Sequence, residues 1–243
     1  RDNIFRAIAN HDPDYSRNIE GHEIRLHWDE QQLFYLVCNR IRIAFNSPVE
    51  NNLKLWNRFV SDELQGMDGF KKCLRLTLYR PRDVLALLNE AFFEALKVHS
   101  ERIVNDNIEA TSKKISTNRL NDLRKEYSAI CPGLPELTTA FANKNHEFTV
   151  GEASEIIRNL LIADTYPQPV QQNFTILNDP KDIIRTLYSI GFFGIYDNTS
   201  ATYIFCHDGR NPNKEFTEDN KILIHPCYWI GLNSIKNTLD RED

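Results

Sequence analysis

The run Cys131-Pro132-Gly133-Leu134-Pro135 constrains this chain more than any other feature. Proline removes an amide donor and collides with the preceding helical turn, and glycine is the poorest helix former after it, so no helix crosses this run. The segments on either side also have different rhythms, and the run is read as the boundary between two units.

On the N-terminal side the apolar residues recur at helical spacing. Asp29 is a suitable N-cap for a helix over 30–45, in which Leu33, Leu36, Val37, Arg40 and Ile41 form one stripe. Asn46-Ser47-Pro48 ends it. A shorter helix over 53–59, a turn at Gly66 to Gly69 and an apolar segment over 70–78 follow. Pro81 then suits the first turn of a helix reaching Val98, which is apolar around much of its circumference and belongs inside a bundle. Residues 101–129 read as helical and more polar, with a break at Thr111 to Thr117. The first 28 residues are mixed, and Glu23 to Trp28 alternates in the manner of a short strand.

Beyond the boundary the pattern shortens. A brief helix over 135–141 precedes Thr149 and Glu152, spaced as a capping box that opens a helix to about Ile162. Tyr166 to Gln172 reads as a spacer. Asp179-Pro180 starts a third helix, with Ile183, Ile184, Leu187 and Tyr188 on its apolar face. Two strand-like runs, 192–196 and 201–207, flank the hairpin signal Asp197-Asn198-Thr199-Ser200. A last strand over 221–225 and a helix to about Leu239 complete the chain. Three helices and then a hairpin is the winged-helix order. The expected fold is therefore mainly α: a helical bundle over 1–131, then a winged-helix domain with a small β-hairpin over 132–243.

Composition narrows the functional classes. A net charge of −5 argues against a broad nucleic-acid footprint, and no apolar run approaches the 18 residues of a membrane span. Five cysteines, an odd number scattered singly, suit a reducing compartment rather than a disulfide framework. The chain begins at Arg1 in what reads as the middle of a folded segment, so a piece of a longer polypeptide is expected.

Local chemistry is sparse. No histidine pair has the spacing of a metal-binding helix, and Cys206-His207 with His225-Pro226-Cys227 could meet only across strands, so no metal is expected. There is no nucleophile elbow, no carboxylate pair in an apolar setting and no Gly-rich phosphate loop. Arg80-Pro81-Arg82-Asp83 stands out. Two guanidinium groups at a helix start can hold an anion, and Asp83 in the first turn suits the same dipole. An internal salt bridge of Arg80 or Arg82 with Asp83 or another acid satisfies the same residues. On the third helix of the second unit Lys181 and Arg185 could touch nucleic acid, but Asp182 and the acidic wing turn favour protein contact over DNA.

The stretch Leu76-Thr77-Leu78-Tyr79-Arg80-Pro81-Arg82-Asp83-Val84-Leu85-Ala86-Leu87-Leu88-Asn89-Glu90-Ala91 resembles the lid-helix start of a bacterial family of STAND-like P-loop ATPases, often found in antiphage defence loci. Arg1 to Phe5, Ile24 to Ile41, Leu187 to Gly194 and Ile224 to Asn233 resemble flanking parts of that family, from the edge of the ATPase core to the C-terminal end. The resemblance implies a lid and winged-helix region without the nucleotide-binding core. It makes Arg80, Arg82 and Asp83, with Arg1, the candidates for sensing nucleotide or a neighbouring subunit. It implies ATP and Mg2+ for the full-length protein, and as partners an upstream ATPase core, a second copy or an effector protein in the cytoplasm. A winged-helix DNA-binding module and a stand-alone adaptor remain the alternatives.

Overall fold

The computed structural model describes residues 28–162, 165–208 and 216–234. Arg1 and the strand expected before Trp28 lie outside the described residues, as does the end of the chain beyond Ser234.

Helix α1 spans Glu30–Ala44 and starts from a capping box. The Asp29 carboxylate accepts from the Gln32 amide at 2.7 Å, and the Gln32 side chain accepts from the Asp29 amide. Its stripe buries Leu33, Phe34, Val37 and Cys38. Helix α2, Asn52–Phe59, is capped by Asn51 and buries Leu55 and Trp56. Helix α3, Gly66–Leu74, includes the residues read from sequence as a turn. The helix can begin there because Gly66 takes a φ of 72° at its first position. Gly69 lies against a 3-10 turn at Asp62–Leu64, where an added Cβ would come within 2.1 Å of the Leu64 carbonyl carbon.

Helix α4 runs over Pro81–Lys97 with proline in its first turn, and α5 over Asn105–Tyr127. The break expected within α5 does not occur. Two of its hydroxyls bond back to carbonyls of their own helix, Ser112 to Glu109 and Thr117 to Lys113, so they are satisfied without a break, while Thr111 Oγ1 is buried without a hydrogen-bond partner. Thr111, Ser112 and Ser116 are buried, where their small size lets other elements come close.

The first core gathers side chains of α1 to α5 around Phe34, Trp56 and Phe70, whose rings meet edge to face at 5.0 to 6.3 Å. The Trp56 indole N–H donates to the Leu64 carbonyl at 2.8 Å, so this buried donor is satisfied.

The second unit begins with α6, Leu134–Thr139, and strand β1, Glu147–Thr149. Helix α7, Val150–Leu161, opens from the expected Thr149–Glu152 capping box. The expected spacer is mostly a helix, α8, Gln168–Ile176. Pro167 and Pro169 sit at the helix start, where a missing amide costs nothing. Helix α9, Pro180–Ser189, leads into β2, Phe193–Asp197, and β3, Thr202–Ile204. After β4, Lys221–Ile224, comes α10, a single turn over Pro226–Trp229, where the sequence suggested a longer helix.

The four strands form one antiparallel sheet in the order β1-β4-β2-β3. The expected β2–β3 hairpin is present, with Ile195 opposite Ile204. The other side of β2 pairs with β4, Phe193 opposite Ile224, and β4 pairs with β1, Phe148 opposite Ile222. The molecule is thus mainly helical with one small open antiparallel sheet, in the winged-helix order with α8 and the edge strand β1 added.

The second core is built on Phe141, Phe192, Phe193 and Tyr228. Helix α5 serves both cores: Ile108 and Ile115 pack in the first, Leu120 and Leu123 in the second. The Gly231 amide donates to Ser116 Oγ at 2.8 Å, and an added Cβ on Gly231 would stand 3.1 Å from the Ser116 carbonyl. The C-terminal part of the second unit is therefore pressed onto the long helix of the first.

Candidate functional site

The arginine segment is positioned by a backbone reversal. Thr77 is buried, and its hydroxyl donates to the Leu74 carbonyl while accepting from the Tyr79 amide. Tyr79 takes a φ of 53°, in the left-handed region that non-glycine residues enter reluctantly. That turn sets Arg80 in extended geometry as N-cap of α4 with Pro81 in its first turn. The Arg80 carbonyl accepts from the amides of Asp83 and Val84 at 2.9 and 3.2 Å. Pro81 has no amide and that of Asp83 is engaged, so this helix start offers fewer donors than a bare N-terminus.

Asp83 is the fixed point. Its side chain is fully buried, and Oδ1 accepts from Arg119 of α5 at 2.7 Å. Arg119 also lies 3.3 Å from Asp122. Asp83 Oδ2 and Arg119 Nε are buried without a hydrogen-bond partner, so the pair is strongly coupled but incompletely satisfied. The internal salt bridge left open by the sequence therefore exists, with a third arginine as its main partner. Arg82 reaches Asp83 only at 3.8 Å and its side chain is 70 % exposed. Arg80 is half-exposed and lies 3.9 Å from Glu126. The structure thus brings together Arg80, Arg82 and Asp83. Three guanidinium groups face three carboxylates there (Asp83, Asp122 and Glu126), and Arg82 is the cation most open to solvent.

The second unit meets this segment through an aromatic stack. Tyr79 lies parallel to His207 at 4.8 Å, and Phe205 stacks on His207 at 5.5 Å. The His207 and His225 rings are 5.2 Å apart at 67°. His225 is buried, and its Nδ1 accepts from the Cys227 amide at 3.2 Å, capping α10. Burial, helped by the neighbouring His207, holds the His225 imidazole well below its usual pKa. Burial and the charge of Asp83 push the Cys227 thiol well up. Cys206-His207 and His225-Pro226-Cys227 do come together, as the sequence allowed. They do so as stacked rings and a buried thiol, and among the described residues no group of three or more His, Cys, Asp or Glu could hold a metal ion.

On α9, Lys181 lies 3.9 Å from Glu218 and Arg185 2.7 Å from Asp182, with the Arg185 guanidinium 5.8 Å from the Phe216 ring centre. Each basic group that could have met a phosphate has an acidic neighbour. Sequence reasoning missed Arg119. It reaches Asp83 across 36 residues of chain, and nothing local in α5 marks it.

Comparison with known proteins places the chain in a family. Residues 31–124 match the FunZ-associated C-terminal helical domain. The chain is 46 % identical over its whole length to a protein described as "Putative transposon gamma-delta 80.3 kDa protein" of Escherichia coli (strain K12), of which it covers 35 %. It is 51 % identical over 150 residues to Allergen Alt a 2 of Alternaria alternata, a match that takes in 62 % of this chain and 79 % of that protein. The chain belongs to the family that includes Allergen Alt a 2. It spans about a third of the length of its Escherichia coli relative. No solved structure matches.

Proposed function

We propose that this chain is the regulatory C-terminal region of a longer P-loop ATPase, coupling nucleotide state in an attached core to self-association or to an effector protein, in cytoplasmic antiphage defence. The observation that carries this reading is the exposed Arg82, beside half-exposed Arg80, anchored over a buried Asp83–Arg119 pair that joins both cores. An arginine that neutralises or senses a phosphoryl group has to be mobile at its tip and fixed at its base. The fixed base is Asp83, one turn into α4.

Three further points support the reading. The matching domain is described as C-terminal and helical. The Escherichia coli relative has room for a nucleotide-binding core in the 65 % of its length outside the match. Cys38, Cys73, Cys131 and Cys227 are buried and outside any disulfide, which suits a reducing compartment, and among the described residues no helix is long and apolar enough to cross a membrane.

The test is ATP binding and turnover by the complete gene product, wild type beside Arg80→Ala and Arg82→Ala. Loss of turnover or of nucleotide affinity with the fold intact supports the reading. Unchanged binding and turnover in both variants, or no nucleotide binding by the wild type, overturns it.

A further inference from the structure

Two arginines contend for one buried oxygen. Arg119 Nη1 lies 2.7 Å from Asp83 Oδ1, and Arg82 Nε lies 3.8 Å from the same atom. Among the described residues these are the two cations that pair with Asp83. They differ in what a tight hold on it would cost them. The Arg119 side chain, on α5, is only 12 % exposed, so packing has already ordered it. The Arg82 side chain is largely in solvent, and closing onto Asp83 would take away its rotamer freedom and its hydration. The buried cation therefore makes the short contact, and the exposed one stays at the edge of reach.

The other polar groups around Asp83 do not take over the work of Arg119. Cys227 and Tyr228 of α10 feel the charge of Asp83, but burial above all raises both pKa values, so both groups stay neutral. Arg80 lies 3.9 Å from a different carboxylate, that of Glu126. Asp83 Oδ2 has no hydrogen-bond partner, so the carboxylate is only partly satisfied even with Arg119 in place. A buried carboxylate that loses its main cation attracts the next one within reach. Here that is Arg82, which can close the gap by rotation of its own side chain.

We propose that Arg119 is a positioning residue: by satisfying Asp83 it keeps Arg82 extended into solvent and available to an external phosphate. Arg119 itself touches no ligand. It acts through Asp83, and without it Arg82 folds back onto the carboxylate and leaves the surface. The inference deepens the proposed function, on which the phosphate-binding role of Arg82 rests. The contest for Asp83 does not itself depend on nucleotide.

The test is the rate at which phenylglyoxal, an arginine-selective reagent, modifies Arg82 in the 243-residue chain, located by mass spectrometry. Arg80 is followed in the same digest as a reference. Arg119→Gln, with its fold checked by circular dichroism, should slow Arg82 about five-fold, the population shift expected at the upper end of exposed ion-pair strengths. Arg80 should keep its rate. Adding Asp83→Asn to Arg119→Gln should restore the wild-type rate at Arg82, because no charge remains to draw it in. A merely structural role for Arg119 predicts no such rescue. Asp83→Asn alone should leave Arg82 at the wild-type rate, since Asp83 does not hold it while Arg119 is present.

An unchanged Arg82 rate in folded Arg119→Gln overturns the proposal. So does equal slowing of Arg80, or slowing that Asp83→Asn fails to relieve. A marked rise in Asp83→Asn alone also overturns it, by showing that Asp83 already held Arg82. That last comparison stands even where Arg119→Gln does not fold. No nucleotide is present, so failure here is distinct from failure of the nucleotide-sensing reading.

Discussion

Arg119 holds Asp83 at 2.7 Å inside the protein, joining the start of α4 to the middle of α5 at the point where the two cores meet. The carboxylate is completely buried and the guanidinium nearly so. Removing Arg119 leaves buried Asp83 with only the exposed Arg82 at 3.8 Å, and removing Asp83 leaves Arg119 with only Asp122 at 3.3 Å. Asp83→Ala and Arg119→Ala should each destabilise the chain by about 3–5 kcal/mol. The double variant should lose less than the sum of the two, because neither residue is left unpaired. Urea unfolding of the four proteins closes this cycle, and additive losses would show that the pair contributes no coupling.

The pair also marks what was legible in the sequence. The apolar spacing of α1, α2, α4, α7 and α9 and the Thr149–Glu152 box are local signals, and each element was readable from its own residues. The hairpin was readable from Asp197-Asn198-Thr199-Ser200 for the same reason. Helix α8 was hidden because Pro167 and Pro169 look like breakers unless the helix starts on them. Strand β1 was hidden behind the cap of α7, since only pairing with β4 makes Glu147–Thr149 a strand. At the site, Arg80, Arg82 and Asp83 were visible as a motif. The choice of Arg119 as the partner of Asp83 is a tertiary fact with no local signature.

His225 gives the fold an acid sensitivity. Its imidazole is held well below its usual pKa by burial, so the folded state prefers it neutral. The unfolded chain takes up a proton near the ordinary histidine value of about 6.5. The stability contributed by neutral His225 is therefore fully present above that value and is lost as pH falls below it toward the folded pKa. The urea midpoint should drop between pH 7 and pH 5.5, and the drop should shrink in His225→Gln. An equal drop in the variant would assign the acid response to other groups.

The thiols should divide by burial. Burial pushes Cys38 up to about 11 and Cys73 up to about 12, and raises Cys131 and Cys227 as well. The thiolate is the reactive form, so these four should resist a disulfide reagent at pH 8 in the native protein. Cys206, which is only partly buried, should react first. Mass-mapped labelling before and after denaturation distinguishes the five, and rapid native labelling of Cys73 would contradict the packing around it.

Gly69 should be intolerant of any side chain. A Cβ there would stand 2.1 Å from the Leu64 carbonyl carbon, which is backbone and cannot swing aside. Either the 3-10 turn or α3 would have to move, and Phe70, beside Gly69, is packed against Phe34 and Trp56. Gly69→Ala should cost more than about 3 kcal/mol, in the range of severe core substitutions. Gly66→Ala meets no atom within 4 Å and suffers only from its positive φ, so its loss should be smaller. Comparing the two thermal midpoints separates crowding from backbone strain.

Arg80 and Arg82 provide the sharpest contrast with Arg119. Their nearest carboxylates lie at 3.8 to 3.9 Å, and both side chains are open to solvent. Ion pairs of that kind contribute about 0–1 kcal/mol, because water screens them and ordering the long side chains offsets the attraction. Arg80→Ala and Arg82→Ala should therefore leave urea stability within about 1 kcal/mol of wild type. A residue that is dispensable for folding yet set at the head of a rigid helix is free to act on something outside the chain. If either substitution instead destabilises the fold as Arg119→Ala does, that arginine is a structural residue. A loss of nucleotide binding in that variant would then say nothing about sensing.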